Sequence, residues 1–189
     1  MTIIGDFSTS VTKALDEIDP NWRDYTGLIV CGTHSPEGWD IKNTIETIQE
    51  AREYDVPFLG ICFGLQLAVI EYAQNVWGFN ANSTELEPDT PHPVVVKLPQ
   101  LRVGMKEVNG KMESHWHNYA VNSERYVWRE EWNVVESDGV IEIMELKGSR
   151  HHKGIQYHCE YESSKEKPHK DLVNFLNICK KYNVGSRHQ

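Results

Sequence analysis

Residues 56–66 read Val56-Pro57-Phe58-Leu59-Gly60-Ile61-Cys62-Phe63-Gly64-Leu65-Gln66. An apolar run of strand length enters Gly60, a cysteine stands two residues on, and a helix-period pattern through Leu65, Val69 and Tyr72 follows at once. This is a strand, a sharp turn and a helix. A cysteine at such a turn has its sulfur pushed out of the sheet, beside free N–H groups of a helix N-terminus that favour the thiolate. Gly60 and Gly64 flank it because a tight turn leaves no room for side chains around a nucleophile. Gly-x-Cys-x-Gly therefore reads as a nucleophile elbow with sulfur in place of a serine oxygen. The plainer alternative is a small apolar residue buried where a strand meets a helix.

The flanking chain places this turn in an α/β fold. Residues 2–5 read as a first strand, and an amphipathic segment over 11–18 is stopped by Pro20. Residues 25–31 form a buried strand that runs into the turn-rich loop Gly32-Thr33-His34-Ser35-Pro36-Glu37-Gly38. Ile41, Ile45, Ile48 and Ala51 then recur at helical spacing, and the elbow follows. Strand, helix, strand, helix implies parallel crossovers and a doubly wound, mostly parallel sheet flanked by helices, flavodoxin-like, with loops at the strands' carboxyl ends building the site. The elbow helix is expected to reach about Trp77, with Gly78 as its C-cap.

Beyond it, residues 80–93 are too rich in proline and small polar residues for a regular element and are expected to be an ordered loop. Residues 94–98, 133–137 and 140–146 alternate like antiparallel edge strands, with Ser137-Asp138-Gly139 as the turn between the last two. Residues 154–160 read as a final strand carrying His158 and Glu160 on one side by alternation. A closing helix from about Pro168 has the face Leu172, Phe175, Leu176 and Cys179, and about 185–189 is expected to be a frayed tail. With 189 residues and no repeat or linker, one domain over 1–189 is expected.

A net charge of −9 argues against a nucleic acid or an acidic membrane surface and favours a small-molecule substrate. Cys31, Cys62, Cys159 and Cys179 lack metal-ligand spacing, so neither a metal nor another cofactor is expected and reduced thiols of a cytoplasmic protein are the simpler account. No basic-then-apolar leader and no run of membrane-spanning length is present in the sequence. His151 and His152 read as exposed turn residues.

A thiolate nucleophile needs a base that takes its proton and returns it to a leaving amine, and histidine has the right unperturbed pKa. His158 with Glu160 supplies a base and a carboxylate to fix its tautomer.

Gly60-Ile61-Cys62-Phe63-Gly64-Leu65-Gln66, continued by Val69-Ile70-Glu71-Tyr72-Ala73-Gln74-Asn75-Val76, resembles the elbow of class I glutamine amidotransferases. Ala81-Asn82-Ser83-Thr84-Glu85 through Asp89-Thr90-Pro91-His92-Pro93-Val94 is similar to the glutaminase half of the CTP synthase branch. The resemblance covers most of the chain, with patchy agreement before Gly27 and after Glu160. It implies that Cys62 attacks the γ-carboxamide of glutamine to give ammonia and a γ-glutamyl thioester, with His158 shuttling the proton and Glu160 holding His158. It further implies an oxyanion hole from the Phe63 N–H and one in the Gly32-Thr33-His34 loop at Thr33, and assigns the glutamine amino-acid end to Gln66 and Glu85, with Gly32 as a further substrate contact.

The departures fall around the substrate. Only the first glycine of the family's glycine-rich loop survives, as Gly32, and the run of alternating arginine and histidine is here Ser114-His115-Trp116-His117-Asn118, with every arginine replaced. Through the resemblance, one of those arginines grips the α-carboxylate, and loss of such a clamp costs about 1.5–3 kcal/mol. Trp116 and His117 read either as substrate-facing or as part of an edge strand with one aromatic inward and two solvated histidines. No Gly-x-x-x-x-Gly-Lys-Ser/Thr loop is present, so the chain is not expected to make CTP alone. Three readings stay open: a glutaminase-type subunit feeding ammonia to a separate synthase, which the resemblance docks near the elbow helix and residues 80–93; a hydrolase of a different γ-glutamyl amide; and a catalytically silent binding or regulatory module.

Overall fold

The computed structural model describes residues 1–186. Strands β1 (Thr2–Ile4), β2 (Leu28–Val30), β3 (Phe58–Ile61), β7 (Trp132–Ser137), β8 (Val140–Leu146) and β9 (His152–Ile155) form a six-stranded sheet in the order β1-β2-β3-β9-β8-β7. The first four are mutually parallel, and β8 and β7 close one edge antiparallel. The expected doubly wound fold with an antiparallel edge is the observed one.

Alternation along the strands creates two cores. Leu28, Val30 and Phe58 face helices α2 (Ile41–Glu53) and α3 (Phe63–Asn75), whereas Ile29, Leu59 and Ile61 face α1 (Ser8–Ile18) and α4 (Lys170–Ser186). Helix α4 presents the expected face, with Leu172, Phe175, Leu176 and Cys179 all buried. The tail expected from 185 onward begins inside α4; residues 187–189 lie outside the described residues.

Helix α3 is the central element. Its residues from Phe63 to Ala73 are all buried, including the carboxylate Glu71 at 0 % exposure. Arg52 of α2 neutralises Glu71 through Nε and Nη2 at 2.8–3.2 Å. The helix lies so close to the sheet that a Cβ at Gly64 would stand 2.0 Å from the Val30 carbonyl oxygen and one at Gly60 2.6 Å from the Gly64 backbone. These glycines serve close approach of backbone to backbone.

The structure corrects the reading of the second half. Residues 80–93 contain a strand, β4 (Ala81–Ser83), and residues 94–98 belong to the long β5 (His92–Val108), which pairs with β6 (Lys111–Val121). Together they make a separate three-stranded sheet rather than an edge of the main one. The β5–β6 hairpin turns at Asn109 and Gly110, with φ of 50° and 76°, the left-handed conformation that Asn-Gly adopts readily. The phase of β6 is opposite to the edge-strand reading: Glu113, His115 and His117 are buried and Trp116 is exposed. Strand β9 ends at Ile155, so His158 and Glu160 meet across a turn and not by strand alternation. His151 and His152 are buried, not exposed, because β9 lies inside the sheet between β3 and β8.

Candidate active site

Cys62 ends the β3 turn and opens α3 at φ 54° and ψ −104°. A non-glycine residue there is strained by roughly 1–3 kcal/mol and persists only because its surroundings hold it. Those surroundings are explicit: Cys62 N donates to the Ile155 carbonyl at 2.7 Å, and the Cys62 carbonyl accepts from Leu65 N and Gln66 N at 3.1 and 3.3 Å. The N–H groups of Phe63 and Gly64 occupy the first helical turn, where no carbonyl of the helix can accept from them.

His158 and Glu160 follow β9 on the adjacent chain segment. His158 Nδ1 is bonded to Glu160 Oε1 at 2.8 Å, and both residues are buried. The backbone of the histidine is fixed as well, its N–H donating to the Ser114 carbonyl of β6 at 2.8 Å. Burial works against the charged imidazolium, but hydrogen bonds to Cys62 and Glu160 together with their charges outweigh it and raise the His158 pKa above its ordinary value. Gly32 lies behind the imidazole: a Cβ there would stand 3.0 Å from His158 Cε1 and 3.0 Å from Phe7 Cδ2.

Thr33, Phe63, Gln66, Glu85, Trp116 and His117 share a cleft of about 100 Å³ with Cys62, together with His34, Leu101, Asn118 and Tyr119. Gly32 supports His158 instead of lining this cleft. The Thr33 hydroxyl is tied to the Asp6 carboxylate and to the Ser35 backbone, so the altered loop has its own fixed conformation. Gln66 Nε2 donates to the Tyr119 carbonyl at 3.0 Å, and His117 Nδ1 donates to the same carbonyl at 2.9 Å. Glu85 is half-buried and its pKa is raised by burial.

Three residues at the site were not singled out from sequence. Gln156 is fully buried and its Nε2 donates toward Cys62 Sγ at 3.6 Å. Tyr161 stacks on the His158 ring at a centroid distance of 4.9 Å, and Phe7 packs edge-on at 5.5 Å. Gln156 follows β9 directly and stands two residues before His158. Nothing local to Phe7 announces its contact with a ring 151 residues away.

The other cysteines differ from Cys62. Cys31, Cys159 and Cys179 are fully buried, and burial pushes each thiol upward, the last to about 12. Residues 63–73 of the elbow helix are buried.

The family model described as glutamine amidotransferase class-I matches residues 7–177. The CTP synthase of Sulfolobus acidocaldarius is 33% identical, covering 94% of this chain and 38% of the relative, and that of Archaeoglobus fulgidus is 38% identical, covering 90% and 37%. The chain thus spans a little over a third of the length of these relatives. Among solved structures, the glutaminase domain of Trypanosoma brucei CTPS with bound acivicin superposes with a TM-score of 0.81 at 20% identity, over 96% of this chain and 94% of that one. A glutamine amido transferase from Methylobacillus flagellatus shares the fold more distantly, with a TM-score of 0.54 at 15% identity over 96% of this chain and 90% of that one. The chain belongs to the class I glutamine amidotransferase family and is similar to the glutaminase part of CTP synthases.

Proposed function

We propose that this chain is a cysteine-nucleophile hydrolase that cleaves the γ-carboxamide of glutamine or of a glutamine derivative and supplies the ammonia to a synthase in trans. The observation that carries the reading is the assembly of Cys62 at a strained elbow with His158 and Glu160 beside it. The Cys62 thiol gives its proton to His158 as Sγ attacks the amide carbon, the Phe63 N–H and a Thr33 loop N–H receive the oxyanion, and His158 passes the proton to the ammonia that leaves as the C–N bond breaks. Water then attacks the γ-glutamyl thioester with His158 as base, the C–S bond breaks, and the free thiol and a γ-carboxylate result. The buried Glu160 holds the imidazole in the tautomer this cycle needs. A synthase as ammonia acceptor is proposed from the relatives' identity as CTP synthases.

A second reading, turnover of a γ-glutamyl amide other than free glutamine, is favoured by a lining that contains neither lysine nor arginine. Ammonia release by the purified chain beside Cys62→Ala tests the shared mechanism. Loss of all release in a variant of unchanged fold is expected. Undiminished release would remove Cys62 from the nucleophile role, and unreactive Cys62 toward a diazo-ketone glutamine analogue would favour the silent module.

A further inference from the structure

Two buried side chains of the cleft beside Cys62 carry hydrogen-bond acceptors without a partner. Because His117 Nδ1 and Gln66 Nε2 both donate to the Tyr119 carbonyl, His117 Nε2 is left as a bare lone pair and Gln66 Oε1 as a free carbonyl oxygen. Both atoms are buried without a hydrogen-bond partner, in residues 5 % and 3 % exposed. Glu85 adds a carboxylate to the same lining, which holds neither lysine nor arginine. Burial lowers the His117 pKa to about 3, so this ring supplies no positive charge at neutral pH.

A ligand that satisfies three such acceptors brings N–H donors and positive charge. An ammonium group does so. A carboxylate placed among the same atoms meets lone pairs, and desolvating it without a cation is strongly unfavourable. The cleft has a volume of about 100 Å³. Trp116, which is 61 % exposed, and the exposed Asn118 stand at its mouth, offering an aromatic face and a neutral amide. With a net charge of −9, the chain attracts a cationic substrate over a zwitterionic one.

We propose that the preferred substrate is a glutamine whose α-amine is free and whose α-carboxyl is masked as an amide, as in glutamine at the amino terminus of a peptide. This rests on the cysteine mechanism proposed above and names the substrate class of that site. The ammonium faces Glu85, Gln66 and His117, the masking group lies on Trp116, and the γ-carboxamide reaches Cys62. The reaction consumes one water, breaks the γ C–N bond and yields ammonia and an amino-terminal glutamate, with no redox change.

The test compares L-glutamine with L-glutamine α-N-methylamide, in which the γ-amide is the sole source of ammonia, using the full chain. The product is identified by mass as glutamate from L-glutamine and as glutamate α-N-methylamide from the methylamide, separating hydrolysis from spontaneous cyclisation, and Cys62→Ala provides the blank. The expected kcat/KM is at least about tenfold higher for the methylamide, in keeping with an ion left unpaired. Trp116→Arg should shift the ratio at least about tenfold toward free glutamine by supplying the absent cation. Equal or better use of free glutamine by the unaltered chain overturns the substrate assignment while leaving the cysteine mechanism standing. Turnover of neither substrate above the Cys62→Ala blank overturns both.

Discussion

Glu160 touches neither the cleft nor the sulfur; its effect passes through His158 Nδ1. Glu160→Gln keeps the shape but removes the charge that stabilises the imidazolium, so kcat should fall about a hundredfold or more with KM little changed. His158→Asn should lose at least as much, on the scale of about 10²–10⁴ for a general base. Steady-state kinetics at saturating and limiting substrate separate these outcomes from a folding defect. The positions of Cys62, His158 and Glu160 were legible because an elbow and a His-x-Glu pair are local patterns. The environments of His115, His117, His151 and His152 were not, since polar residues become buried only when long-range strand pairing encloses them.

Helix α3 illustrates what local pattern conveys and what it omits. Its start, at a cysteine between two glycines, is written in sequence, and so is its apolar character. Its complete burial needs partners from other elements. Gly64→Ala should abolish soluble expression, because the new Cβ meets the Val30 carbonyl oxygen at 2.0 Å and main chain cannot step aside. Arg52→Ala leaves Glu71 charged at 0 % exposure and should destabilise by about 3–5 kcal/mol in denaturant unfolding. In the β4–β5–β6 sheet the reverse applies. The Asn109-Gly110 turn signal lies plainly in the chain, yet β4 pairs in parallel with the start of β5 across a proline-rich segment that no strand propensity marks.

For the whole molecule, three buried imidazoles decide the response to acid. Burial lowers His117, His151 and His152 to about 3, 4 and 3. Below about pH 6.5 the unfolded chain binds protons that the folded one refuses, so stability falls as pH drops from 6.5 toward 4, by about 1 kcal/mol per pH unit for each group. His158 acts oppositely but elsewhere. Its raised pKa contributes stability that is complete below pH 6.5 and is lost as pH rises through the folded value. Thermal melts between pH 6.5 and 5 should therefore show Tm falling well above the carboxylate range. His152→Leu should flatten that fall, because the His152 ring stacks on Phe58 with neither nitrogen hydrogen-bonded. The order of strands and helices in the parallel half was legible because each crossover is local; the two-sheet organisation was not, because it rests on pairings between distant segments. Among the described residues no helix is long and apolar enough to cross a membrane. The most direct test of the central claim is acid quenching of the chain during turnover, followed by mass analysis of its peptides. A γ-glutamyl thioester on Cys62, absent from Cys62→Ala, is the predicted result; amide hydrolysis with no acyl group on Cys62 would contradict it.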